Sequence, residues 1–296
     1  MLIFPVLAAL SASFGWATGI VLAQRPAKLL GSFEFTRIQL ISCAAILAIA
    51  CTALGCWQSV EWAYWPHFAA STCFGIVLGN LAMIECLRRG GPRRTELLLS
   101  LKAPVVAAMA YFWLQETSSV MDFLGAGITL FGVCLAIFFG SNKNSDSDVT
   151  TGRMSTIVLL GITATSFQGF GFLVIKPAML AGTEPIAASA IRLLGAAFLI
   201  SIVALWPSKM FQSQSELSPR LLGRTILPGF IGYGVSSSLL LYAFANFDAG
   251  IAAVLGSLSP VLILPILWFK EGLMPRVQAV LGAVLAVAGT VVIVVF

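Results

Sequence analysis

Ten apolar runs, each about as long as a helix needs to cross a bilayer, succeed one another along the chain. They lie near 2–24, 33–55, 67–87, 95–114, 120–140, 155–175, 186–206, 225–245, 250–269 and 277–296, separated by short charged or Pro/Gly-rich breaks. Backbone in hydrocarbon must satisfy its own hydrogen bonds, and these runs are too long and too evenly apolar for barrel strands. The pattern therefore predicts an all-α membrane protein with ten transmembrane helices. The most polar stretch, Gly140 to Arg153, has linker composition and divides the helices five and five. The expected organisation is a first five-helix repeat (1–140), a polar linker (141–154) and a second five-helix repeat (155–296).

An internal repeat supports that division. Pro104, Trp113, Glu116, Leu124-Gly125-Ala126 and Gly132 recur in order as Pro260, Trp268, Glu271, Leu281-Gly282-Ala283 and Gly289, at offsets of 155 to 157. Earlier in each half, Ser13-Phe14 and Arg37 pair with Ser166-Phe167 and Arg192, at offsets of 153 and 155. Five helices per repeat is an odd number, so the second half must enter the membrane upside down relative to the first. Two inverted repeats place a binding site near the midplane at their interface.

Composition closes off other classes. The chain of 296 residues is 59% hydrophobic and only 10% charged, with mean hydropathy +0.98, which leaves no material for a soluble catalytic domain. The net charge of +5 does not point to nucleic acid, because the basic residues sit in the breaks rather than along one polar face. Thirteen of the 17 Lys and Arg fall in the odd-numbered connections, among them Arg25, Arg88, Lys143, Lys209 and Lys270, whereas the even ones hold only Lys176. By the positive-inside rule the odd connections are cytoplasmic and both termini lie outside, as expected for a multi-pass protein of a plasma (inner) membrane. The N-terminal run lacks a basic leader and reads as a retained first span. The six cysteines lie in or beside apolar runs without metal-type spacing, and read as buried hydrophobes. No metal and no cofactor is expected.

The second-half segment Tyr242-Ala243-Phe244-Ala245-Asn246-Phe247-Asp248-Ala249-Gly250-Ile251-Ala252-Ala253-Val254-Leu255, with Leu258-Ser259-Pro260, Trp268-Phe269-Lys270-Glu271, Gln278, Leu281-Gly282-Ala283 and Gly289, resembles the EamA family of the drug/metabolite transporter superfamily. The resemblance implies ten helices as two inverted five-helix repeats, and the export of amino acids or other small metabolites. The first half departs from the family pattern at Arg88-Arg89-Gly90-Gly91-Pro92-Arg93-Arg94-Thr95-Glu96, where four arginines replace apolar or small positions.

Lys102 is the most informative residue, an ammonium about two turns inside an apolar span. Such a group faces a cavity or a partner, unless its long stem lets the amine snorkel to the nearby arginine-rich connection. In a cavity it suits a carboxylate-bearing solute. Trp16, Asn80, Gln168, Tyr233 and Tyr242 are further polar or aromatic candidates for a midplane site, each weighed against a plain packing role. Gln168 stands out beside Gly169 and Gly171, where a helix can loosen. Arg37 and Arg192, near the starts of their spans, could line the mouth of a pathway or anchor their helices. Glu85 could join that pathway, but its spacing to Arg88 and Arg89 favours a structural ion pair. Glu85 and Glu96 are the carboxyls available for proton coupling. Lys176 reads as interfacial, Glu116 and Glu271 as structural helix ends, and the Gly125/Gly132 and Gly282/Gly289 pairs as close-packing positions in the fifth and tenth spans.

These features predict a transporter, an exporter of amino acids or related small metabolites, working as a monomer by alternating access through a midplane cavity. Its partners are a small-molecule solute and the lipid bilayer, with protons or a counter-solute as candidate drivers. The alternatives are a multidrug or organic-cation exporter of the same fold, and, from other classes, a membrane-embedded scaffold or enzyme. An enzyme would cluster His, Asp or Glu near an interface, and this chain has one histidine and no acidic cluster.

Overall fold

The computed structural model describes residues 3–115, 119–140, 152–206, 216–271 and 276–295. Glu116, Lys143, Lys209 and residues 141–151 of the linker lie outside the described residues. Ten helices follow one another: α1 (Ile3–Leu30), α2 (Ser32–Leu54), α3 (Trp62–Pro92), α4 (Arg94–Leu114) and α5 (Val120–Gly140), then α6 (Met154–Leu180), α7 (Pro185–Ala204), α8 (Pro219–Asn246), α9 (Ala249–Gly256, continued by Ser259–Glu271) and α10 (Val277–Val295). Eight of them carry a continuous apolar window long enough to cross a bilayer, and α5 and α10 contribute the shorter apolar stretches Phe123–Leu135 and Val277–Gly289.

The polarity of the packing is that of a membrane protein. Large apolar side chains such as Phe112, Phe198 and Val284 point outward, while Glu34, Asn80, Glu96, Lys102 and Arg192 are buried. Lipid supplies no hydrophobic drive for helix association, so close approach depends on small residues. The inner face of α1 accordingly buries Ala9, Ala12, Gly15, Ala17 and Gly19.

The neighbour pattern has two-fold symmetry. Helix α1 packs on α8 and α9 of the other half, and α6 packs on α3 and α4; α2 meets α7, α4 meets α9, and α5 meets α10. The α5–α10 contact is reciprocal. A Cβ on Gly132 would lie 2.4 Å from the Ala286 nitrogen and 2.6 Å from the Gly282 carbonyl oxygen, while one on Gly289 would lie 2.5 Å from the Thr129 nitrogen and 2.6 Å from the Gly125 carbonyl oxygen. Reciprocal contacts of this kind are the mark of a two-fold relation, and with five spans per half they make the two repeats inverted.

Helix irregularities repeat as well. Helices α3 and α8 each widen to a π-type turn, at Ser71–Leu78 and Phe230–Ser236, a device that opens a helix locally and is frequent at functional sites. Helix α4 breaks at Leu101 and α9 at Ser257, each shortly before a proline that cannot donate to the preceding turn. Just ahead of these breaks, the carbonyls of Leu98 and Leu255 accept hydrogen bonds from Thr165 Oγ1 (2.7 Å) and Ser13 Oγ (2.8 Å). Broken helices are thus tied to α6 and α1, as lipid-embedded backbone requires.

The structure corrects the repeat register at the start of each half. Gly15 is pressed against Ile231 and Ser236 of α8, and Gly171 against Gly75 of α3. These are equivalent crossings at an offset of 156, which aligns Phe14-Gly15-Trp16 with Phe170-Gly171-Phe172. The Ser13-Phe14 to Ser166-Phe167 pairing at 153 is one helical turn out. Lys176 is a second correction. Expected at the interface, it is only 5% exposed, and its Nζ donates to the Phe247 carbonyl at 2.9 Å, joining the end of α6 to the α8–α9 connection.

Candidate functional site

A cavity with an empty volume of about 990 Å³, counting its open mouth, lies between the two halves. It is lined by α1–α4 and α6–α9, and by no described residue of α5 or α10, which stand aside as the glycine-packed pair. From the midplane it extends toward the odd-numbered connections, past Ala23, Leu87, Glu96 and Leu99. The repeat partners of that stretch on the opposite side, such as Ala252 and Leu255, are fully buried in packing. There the Phe172–Phe244 stack, with centroids 5.6 Å apart, and the Lys176–Phe247 hydrogen bond close the molecule.

Trp16 and Phe172, which occupy the same position in the two repeats, meet edge to face at 6.0 Å across the symmetry axis. Lys102 Nζ sits over both rings, 5.0 Å from the Trp16 centroid and 5.7 Å from that of Phe172. The break at Leu101 explains why. Leu101 points outward, and the restarted helix turns Lys102 inward, leaving it 8% exposed and lining the cavity. Its repeat partner is Leu258, so the cation belongs to one half only.

Arg192 is the deeper surprise. Its Cζ lies 5.0 Å from the Phe172 centroid, the residue is 2% exposed, and its Nε and Nη1 have no hydrogen-bond partner among the described residues. Arg37, its repeat partner, behaves otherwise, because Glu34 one turn earlier holds Arg37 Nη2 at 2.8 Å. The position equivalent to Glu34 is Ser189. With no acidic neighbour on its own helix, the Arg192 guanidinium turns into the cavity.

Glu96 completes the charged set, 2% exposed, lining the same cavity, with Oε2 unpartnered. Among the described residues neither Lys102 nor Arg192 has a carboxylate oxygen within 4.0 Å. The neutral polar lining includes Asn80, 1% exposed with both amide atoms unpartnered, the Tyr233 hydroxyl beside it, and Gln168, whose Nε2 lies 3.3 Å from Met83 Sδ. An unpaired guanidinium offers two parallel donors matched to a carboxylate, and the ammonium offers a second anion site over an aromatic floor.

Of the residues singled out from sequence, the structure brings Trp16, Asn80, Lys102, Gln168, Arg192 and Tyr233 together around this cavity. Tyr242 is not among them. It is 38% exposed on the outer face of α8, in the regular helix that follows the widened turn holding Tyr233. Arg37 and Glu85 also stay out of the lining; Glu85 is bridged by Arg88 Nη1 and Arg89 Nε, both at 2.6 Å. Sequence reasoning missed Phe172 and took Glu96 only as a proton carrier. Phe172 was within reach, since it lies one turn after Gln168 on the same helical face.

Comparison with known proteins agrees with this architecture. A solved structure described as "Crystal structure of protein" superposes with a TM-score of 0.76 at 16% identity, covering 97% of this chain and 95% of that one, a likeness of fold. No curated protein matches the sequence. The model of the EamA-like transporter family matches residues 3–138 and 155–295, one match on each five-helix repeat. With nearly the whole chain covered by those two matches, this protein belongs to the EamA-like transporter family and is an integral membrane transporter of a small-molecule solute rather than an enzyme.

Proposed function

We propose that the protein exports amino acids or related carboxylate-bearing metabolites by alternating access through the cavity between its repeats. The observation that carries this reading is the pair of buried cations, Lys102 and Arg192, set around one aromatic ring with no carboxylate oxygen within 4.0 Å of either among the described residues. Burying such charges is costly unless something pairs with them, and a solute carboxylate is the group that fits. By the positive-inside inference the cavity faces the cytoplasm and loads from there. Both halves of the pathway lie in one chain, so a monomer suffices. Glu96 is the feature an organic-cation exporter would use, but one carboxylate stands against two cations in the same space.

A thermal-stability screen of the purified protein tests this. A ligand that binds only the folded state stabilises it by about 2.7 kcal/mol at a concentration of 100 Kd. Amino acids or related carboxylates should raise the unfolding temperature, and Lys102→Ala should remove the shift. Stabilisation by organic cations alone, surviving that substitution, would overturn the assignment.

A further inference from the structure

We propose that the solute carries a net charge of −1, a small organic anion rather than a neutral zwitterion. This rests on the transport reading above and concerns the same cavity. Lys102, Arg192 and Glu96 are the charged side chains among its described lining residues, and all three are more than nine-tenths buried. The rest of the lining is apolar, amide, hydroxyl or indole, with Gln39, Asn80, Gln168, Tyr233 and the serines at 189, 237, 257 and 259 as its polar part. With these three groups in their ordinary ionised forms, the described lining carries a formal net charge of +1.

In a site walled by Trp16, Phe172, Leu193 and similar groups, an uncompensated charge is poorly solvated. A zwitterion brings no net charge and leaves the excess in place, while an organic cation doubles it. A monoanion cancels it. The geometry offers two ways of doing so, since Lys102 and Arg192 flank the same Phe172 ring and one small molecule can reach both. An acidic amino acid would set its two carboxylates on the two cations and its ammonium on Glu96. A monocarboxylate without an ammonium would bind at Arg192 and leave Lys102 facing Glu96.

Charge balance also bears on the driving force. When the cavity holds a monoanion, the loaded site is neutral and turns across the membrane without electrical work. The return of the empty, positive site is then the voltage-sensitive step, and an interior-negative potential draws it inward. One elementary charge moved through 100 mV biases the equilibrium about fiftyfold. Export of the anion follows without a coupling ion.

The experiment is efflux from vesicles containing the full chain, loaded with glutamate, pyruvate, alanine or succinate, at zero potential and at an interior-negative potassium diffusion potential. Glutamate or pyruvate should leave at least about tenfold faster than alanine, a ratio set by one charge at cavity distances, and the potential should accelerate that efflux. Glutamate ahead of pyruvate identifies Glu96 as the ammonium site, and the reverse order identifies Lys102–Glu96 as an internal pair; both support the proposal. In Glu96→Gln the cavity gains a second positive charge, and the ratio of succinate to pyruvate efflux should rise at least about tenfold. Alanine carried as fast as the monoanions, or a ratio unmoved by Glu96→Gln, would overturn the proposal while leaving the transport reading intact. No saturable efflux of any carboxylate would bring down the transport reading itself.

Discussion

Arg192→Met is expected to remove most saturable carboxylate flux and, at the same time, to raise thermal stability. A hydrogen bond to a charged group contributes about 1.5–3 kcal/mol, so losing the guanidinium should lower apparent affinity roughly tenfold to a hundredfold. The gain in stability has a separate cause. Arg192 is 2% exposed, with two of its nitrogens unpartnered among the described residues, and exchanging a buried charge for an apolar group of similar volume is often stabilising, by about 1–4 kcal/mol. Methionine has the length and flexibility to fill the vacated space beside Phe172. Flux in vesicles and the unfolding temperature in detergent read the two effects independently. A variant that loses stability would mark Arg192 as a structural prop rather than a binding group.

The second large effect falls on backbone rather than charge. Gly171→Val should cost about 3 kcal/mol or more, at or beyond the upper end of overpacking penalties, and should abolish transport. A Cβ at Gly171 would stand 2.5 Å from the Gly75 Cα, and one at Gly75 would stand 2.7 Å from the Gly171 Cα. No rotamer change relieves a contact with main chain, so α3 and α6 must separate. That separation breaks the hydrogen bond from Ser71 Oγ to the Gly171 carbonyl and displaces Phe172, the next residue, from beneath Lys102 and Arg192. Gly127→Ala is the control, because a Cβ there meets nothing within 4 Å and alanine is the better helix former by about 1 kcal/mol. Unchanged stability in Gly171→Val would mean that the crossing is not tightly packed.

How far the sequence reveals this molecule depends on which physical force writes the signal. Lipid demands long apolar runs, so the ten helices and their parity are legible in hydropathy alone. The repeat is legible in its second part, where Pro, Trp and Gly pairs recur, but α1 and α6 consist largely of small apolar residues. Two registers one turn apart look alike there, and only the Gly15 and Gly171 crossings decide between them. Lys102 is legible because a charge inside an apolar run is expensive. Arg192 is half legible: its match to Arg37 is plain, yet its turn into the cavity depends on Ser189 standing where the first half has Glu34. Comparing the two halves position by position, not only for what recurs but for which partner is lost, would have revealed it. Its place at a helix end marks Lys176 as interfacial, and hydropathy carries no sign of the Phe247 carbonyl that receives it.

The two halves thus share a backbone plan and differ in chemistry. Lys102 and Glu96 in the first half answer to Leu258 and Ala252 in the second, while Arg192 in the second answers to an Arg37 already paired. Inverted symmetry is what alternating access would draw on, and in the function proposed above the asymmetric charges would set the cavity's selectivity.

Two-sided access to that cavity is the claim on which the rest depends, and single-cysteine labelling tests it most directly. With the six native cysteines replaced and Asn80→Cys introduced at the midplane, a membrane-impermeant thiol reagent should modify the cysteine from either face of the bilayer, and a saturating carboxylate solute should slow both reactions. Labelling from one face only, with or without solute, would contradict alternating access between the repeats.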